Sequence, residues 1–242
     1  MNLRVTLATA ERVLRQLKRD HRTLGLVFVV PPLLLTLFRY VFAGQEETFD
    51  RIGGPLVGLF PFISMFLVSS IAMLRERTTG TLERLMSMPV GKLDLLLGYG
   101  LSFALVAAVQ ASITSVVAFG LLGLDTEGSV ALVIAIAIGN ALLGMALGLF
   151  VSAFAQTEFQ AVQFMPAVVI PQILLAGLLV PREQMAALLE WISAALPLTY
   201  AYDALAQVTR GGELDWVDLG VIALSIVLAL GLGAATLRRR TP

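Results

Sequence analysis

The sequence predicts an all-α membrane protein of six transmembrane helices, and three observations carry that prediction. Hydrophobic residues make up 57% of the 242 and charged residues 14%, against about 45–50% and about 25% in soluble domains, so there are too few charges to cover a globule of this size. Six apolar runs are long enough to cross a hydrocarbon core of about 30 Å at about 1.5 Å per helical residue. Lys and Arg gather in alternate connections between those runs.

The runs fall at 24–43, 55–74, 95–122, 130–155, 162–180 and 216–237. Residues 1–22 are polar and basic with scattered Leu and Val, and no small-residue cleavage site closes the first run. No cleavable signal peptide is therefore expected, and the first span is retained. Leu3, Leu7, Ala10, Leu14 and Leu17 recur at spacings of three and four, with Arg4, Arg12, Arg15 and Arg19 at other angles. That pattern predicts an interfacial helix lying on an anionic inner leaflet rather than a soluble basic tail.

Orientation follows from the positive-inside bias. With the N-terminus inside, thirteen Lys and Arg residues lie on the cytoplasmic side, in the N-terminal segment, in Arg75, Arg77, Arg84 and Lys92, and in Arg238, Arg239 and Arg240. Only Arg51, Arg182 and Arg210 lie outside, while Arg39 sits near the outer end of the first span, where it can snorkel. Both termini are expected in the cytoplasm of a multi-pass cell-membrane protein.

Several chemistries lack the residues they need. There is no cysteine for disulfides, thiolate catalysis or Cys-ligated metals. A formal net charge of zero gives no nucleic-acid signal. The one histidine, His21, flanks the first span, and neither H-E-x-x-H nor G-x-S-x-G occurs. "PVGKLD" holds Gly91 and Lys92 without the upstream glycine or the following hydroxyl of a P-loop, so the chain is not expected to be an enzyme or to bind ATP itself.

The segment between the second and third runs, "RERTTGTLERLMSMPVGK", does not read as a plain charged loop. Gly80 interrupts it, then Leu82, Leu85 and Met86 share one face of a short helix with Glu83, Arg84 and Ser87 on the other, until Pro89 and Gly91 stop it. The positive-inside rule explains Arg75, Arg77 and Arg84, but not Glu76, Glu83 and an apolar stripe facing water. A short amphipathic helix of this kind suits docking into a cleft of a soluble partner.

Within the runs, Gln110, Asn140, Gln163 and Gln172 are candidate pathway residues, with interhelical hydrogen bonding as the alternative for each. Phe62, Met65 and Phe66 offer an adaptable apolar lining, although helix packing explains them equally well. Gly144 and Gly148 form a small-xxx-small pair for close packing within the subunit, and Pro166 and Pro171 predict a kinked or broken fifth span. After it, Met185, Leu188, Leu189, Ile192 and Leu196 make an amphipathic stretch too short to span, bracketed by Pro181 and Pro197.

The order of "LTLFRYVFAG", "RERTTGTLERLMSMPVGKLDLLLGYGL", "QFMPAVVIPQILLAGLLVPREQM" and "LPLTYAYDAL" resembles the membrane subunits of type-2 ABC exporters. The likeness is to the daunorubicin-resistance and polysaccharide or lipid export permeases. It implies that Arg75, Glu76, Arg77, Gly80, Thr81, Leu82, Glu83, Leu85 and Met86 belong to a coupling helix seated in a groove of an ATP-binding subunit. It also implies short re-entrant helices after the fifth span and a twelve-span dimer with a second permease subunit, alike or different. ATP and Mg would sit on the partner, with no cofactor on this chain. The expected cargo is a hydrophobic or amphipathic drug, lipid or glycolipid moved outward; the alternative is a secondary transporter or channel without an ATPase.

Overall fold

Asp20 divides the N-terminal stretch in two. It ends α1 (Leu3–Arg19) and caps α2 (His21–Val41), its carboxylate accepting from the Thr23 amide at 3.1 Å and the Thr23 hydroxyl at 2.7 Å. The computed structural model describes residues 2–87 and 91–236. Pro89, Leu237, Arg238, Arg239 and Arg240 lie outside the described residues, as does the Met86 side chain.

Among the described residues eight further α-helices follow: α3 (Glu46–Thr78), α4 (Thr81–Met86), α5 (Lys92–Ser115), α6 (Val130–Val151), α7 (Glu158–Leu175), α8 (Ala187–Ala194), α9 (Pro197–Thr209) and α10 (Trp216–Thr236). A π-helical turn (Val116–Leu121) extends α5 and a 3-10 turn (Ser152–Phe154) extends α6. Six of these helices, α2, α3, α5, α6, α7 and α10, are long and apolar enough to cross a membrane. Their bounds differ from the apolar runs where charge masks a continuing helix. The second run spans 55–74, but α3 begins at Glu46, with Glu46 and Glu47 at the positive end of its dipole, and continues through Arg75 and Arg77. The helix of the fifth span, α7, starts earlier, at Glu158, and ends at Leu175, after which Gly177 takes φ +98°. It is a single helix through Pro166 and Pro171, not a broken one.

The bundle is built on α3 against α6, and the small-xxx-small pair explains how closely they approach. A Cβ on Gly144 would lie 2.2 Å from the Phe62 carbonyl oxygen, and one on Gly148 would lie 2.3 Å from the Phe66 carbonyl oxygen. The Ser69 hydroxyl donates to the Met145 carbonyl across the same seam at 3.0 Å. Packing at this distance draws on dispersion and hydrogen bonding, which replace the hydrophobic driving force absent inside a bilayer.

The chain between the fifth and sixth spans is largely structural. Proline at the first position of α9 starts a helix whose Leu198, Ala201, Ala204, Leu205 and Val208 are buried against α3 and α6. Ser193 of α8 fastens this layer: its hydroxyl donates to the Leu175 carbonyl at 2.8 Å, and its own carbonyl accepts from the Thr199 hydroxyl at 2.9 Å. The α5–α6 connection closes the same end, where the Glu127 amide donates to the Thr209 carbonyl at 3.1 Å.

Candidate functional site

At the opposite end of the bundle, α1, α4, the close of α3 and the start of α5 and α7 converge. Thr6, Thr9, Ala10, Val13 and Leu17 of α1 are buried, and α1 packs chiefly along α5. Gly98 permits this: a Cβ there would lie 2.5 Å from Thr9 Cβ, and the nearby Ser102 hydroxyl donates to the Ala10 carbonyl at 2.9 Å. The Asn2 amide donates to Asp94 at 3.0 Å, tying the beginnings of the two helices. The apolar stripe of α1 is therefore shared: Ala10 and Leu17 face protein, while Leu3 and Leu7 stay exposed. Periodicity located the stripe but not the surface it meets.

The residues expected to dock a partner divide in the same way. Gly80, at φ +73°, turns the chain from α3 into α4. Leu82, 4% exposed, packs into a cluster with Val13, Leu17, Tyr99 and Phe103, and Leu85 is half-buried against it. This corrects the expectation of an apolar stripe facing water. Glu83 and Arg84 are exposed, and Thr81 is intermediate.

Glu76 also points inward. Only 7% exposed, it accepts from Arg12 Nη1 at 3.0 Å, while Arg12 Nη2 donates to the Tyr99 hydroxyl and the guanidinium lies 5.5 Å from the Tyr99 ring centre. The acid that the positive-inside rule left unexplained has a basic partner within the same chain. Arg75 reaches Glu158 of α7 through Nε at 2.7 Å and Nη2 at 3.1 Å, with Asp20 at 3.8 Å. Arg77 donates to the Ser152 carbonyl at 2.8 Å. The Thr23 hydroxyl and amide, with Arg75 nearby, hold the Asp20 carboxyl below its ordinary range. Sequence reasoning missed Arg12, Asp20, Tyr99 and Glu158. The available signal was Glu76 itself, an acid in a basic segment that requires a cation close by.

The candidate pathway residues are not brought together. Phe62, Met65 and Phe66 are fully enclosed and pack inside the helix bundle. Gln110 is buried and donates to the Val27 carbonyl at 2.8 Å, joining α5 to α2. Asn140 is buried beside Gly58 in a small cavity with Tyr202 and Leu205, its Oδ1 without a hydrogen-bond partner. Gln172 donates to Val168 in its own helix at 3.1 Å, whereas Gln163 is exposed on α7. A groove of about 510 Å³ opens instead among α1, α2, α3 and α5, with apolar walls and a polar end at Asp20, Arg75 and Glu76.

Comparison with known proteins agrees with this architecture. The chain is 27% identical over 184 residues to ABC transporter G family member 20 of Dictyostelium discoideum, covering 76% of this chain and 25% of that protein. It is 27% identical over 181 residues to the probable multidrug ABC transporter permease YbhR of Escherichia coli, covering 74% of this chain and 49% of the relative. It is also 27% identical over 170 residues to the inner membrane transport permease YhhJ of Escherichia coli, covering 67% and 45%. The chain thus aligns with a quarter to a half of the length of these relatives. Residues 4–209 match the family model for ABC-2 type transporters, and on that match the chain belongs to the ABC-2 type transporter family.

Proposed function

We propose that this chain is the permease subunit of an ATP-driven ABC exporter that moves a hydrophobic or amphipathic molecule outward from the cytoplasm or inner leaflet. One observation supports this most: α4 is bolted to the bundle by Leu82 while Glu83 and Arg84 face outward. A helix held in that way moves with the spans when a partner pushes on its exposed face. The partner in this reading is a P-loop ATP-binding subunit that carries ATP and Mg, and a second permease subunit completes a twelve-span dimer in the cell membrane.

In this orientation the α1 end is cytoplasmic, and the polar network there joins three parts. Arg12–Glu76 ties α1 to α3, and Arg75–Glu158 ties α3 to α7. Motion of α4 therefore reaches the interfacial helix and the fifth span together. At the outer end, α8 exposes Leu188, Trp191 and Ile192, which suits a short helix seated at the outer interface.

The test is affinity purification of the tagged chain from its native membrane. A stoichiometric P-loop ATPase in the eluate, and ATP-dependent transport by the reconstituted complex, are the expected results. Transport driven by a proton or sodium gradient with no ATPase bound would instead assign the chain to the secondary transporters.

A further inference from the structure

We infer that the groove beneath α1 is a binding site for an amphipathic cation, whose amine meets the free carboxylate oxygen of Glu76 while its apolar body lies between α2 and α3. The inference rests on the proposed function only in placing the groove at the inner leaflet. Its volume, about 510 Å³, falls in the range of about 300–1,000 Å³ typical of small-molecule sites. Leu26 and Val30 of α2, Leu67 and Ile71 of α3, and Phe103 of α5 supply apolar walls.

The unpartnered acceptor at the polar end selects the ligand. Three charged side chains line it: Asp20, Arg75 and Glu76. Arg75 is already engaged by Glu158 and Asp20, and both Asp20 oxygens accept from Thr23. Glu76 is only half used. Oε1 accepts from Arg12 and the Tyr99 hydroxyl hydrogen-bonds to the same carboxylate, but Oε2 is buried with no hydrogen-bond partner of its own. A buried acceptor without a donor carries its full desolvation cost. Arg15, Lys18 and Arg19 of α1 are exposed and do not line the groove. An anion would bring a further acceptor to an oxygen that lacks a donor, and a neutral apolar molecule would leave Oε2 unsatisfied. An N–H-bearing cation with a hydrocarbon or aromatic body satisfies the carboxylate and the walls together.

Dansylcadaverine, a fluorescent amphiphile with one primary amine, is a direct probe, and its N-acetylated form is the uncharged control. Binding is measured without nucleotide to the full chain in phosphatidylcholine nanodiscs, whose lipid carries no primary amine. The expected result is at least tenfold tighter binding of the amine than of its acetylated form, with that preference lost in Glu76→Gln. A second variant, Leu67→Trp, fills the groove and leaves the ion pair untouched; it should weaken both probes. Equal binding of the two probes, an unchanged preference in Glu76→Gln, or full binding in Leu67→Trp would each overturn the proposal. So would absence of binding together with disulfide formation between copies of Leu67→Cys, which would assign the groove to a subunit contact. Association with an ATPase is scored separately, so a failed groove leaves the permease reading standing, and the converse holds.

Discussion

Arg12 of α1 sets its Nη1 3.0 Å from Glu76 Oε1 near the end of α3, across 64 positions of sequence. The pair lies on the protein side of α1, with Glu76 nearly enclosed and Arg12 partly open. Arg12→Ala strands a buried carboxylate, which costs about 3–5 kcal/mol in a fully buried pair and less here because Arg12 retains contact with solvent. The expected outcome is a lowered thermal midpoint for Arg12→Ala and for Glu76→Ala, with part of the loss recovered in Arg12→Met/Glu76→Leu. A double variant no better than the sum of the single ones would show that the two residues act independently.

The six spans were legible in the sequence because apolar length is a local property. What lay beyond it depended on which surfaces meet. Hydropathy stops at Arg75, yet α3 continues past it because Arg75 and Arg77 find partners on α7 and at the close of α6. The stripe on α1 was visible, but its division between protein and the exposed Leu3 and Leu7 follows from Gly98, which lies far away in sequence. Glu76 stood out by charge alone, whereas its partner was hidden among the basic residues of α1. The burial of α9 was missed because small residues, Ala201 and Ala204, face the bundle and give little hydrophobic signal.

The α3–α6 seam predicts a sharp contrast along one helix. Gly144→Leu forces side-chain atoms into the Phe62 carbonyl, an overpacking that costs at least about 1–3 kcal/mol and moves backbone. Gly139→Ala on the same helix meets no atom within 4 Å and should be neutral. Folded yield after size-exclusion chromatography distinguishes them; equal yields would mean the helices are not in close contact.

Asp203 of α9 gives a pH dependence of defined sign. Burial pushes its carboxyl above the ordinary value of 3.8, opposed by Arg182, which reaches it at 3.2 Å. A carboxyl raised in the folded state contributes stability that is fully present below the unfolded value and is lost as pH rises through the folded one. As pH rises above about 4, the ordinary value of an unfolded aspartate, the thermal midpoint of the wild type should therefore fall relative to that of Asp203→Asn. A parallel pair of curves would remove Asp203 from the account.

The chain has two tryptophans, and Trp191 on α8 and Trp216 at the start of α10 are 79% and 78% exposed. Tryptophan at a membrane interface keeps its ring among headgroups. In nanodiscs, lipids brominated close to the headgroup should quench both more strongly than lipids brominated near the chain ends, with Trp191→Phe and Trp216→Phe separating the two signals. An unquenched Trp191 would place α8 in water.

The sharpest test concerns α4. Glu83 is exposed, and a substitution at such a site ordinarily changes stability by no more than about 0.5 kcal/mol. Leu82 is buried among α1 and α5 residues, and its truncation to alanine removes packing worth about 2–5 kcal/mol in a well-filled core. If α4 transmits force from a nucleotide-binding partner, Glu83→Lys should leave expression and thermal midpoint unchanged while weakening ATPase association and abolishing transport. Leu82→Ala should retain the partner's contact face but loosen its attachment to the spans, lowering both the thermal midpoint and the transport achieved per ATP hydrolysed. Leu85→Asp, at the half-buried edge of the same cluster, should combine the two defects, and Leu85→Met should be mild. Normal transport in Glu83→Lys and Leu85→Asp would show that the outward face of α4 makes no productive contact, and the segment would then serve only to close α3 onto α5.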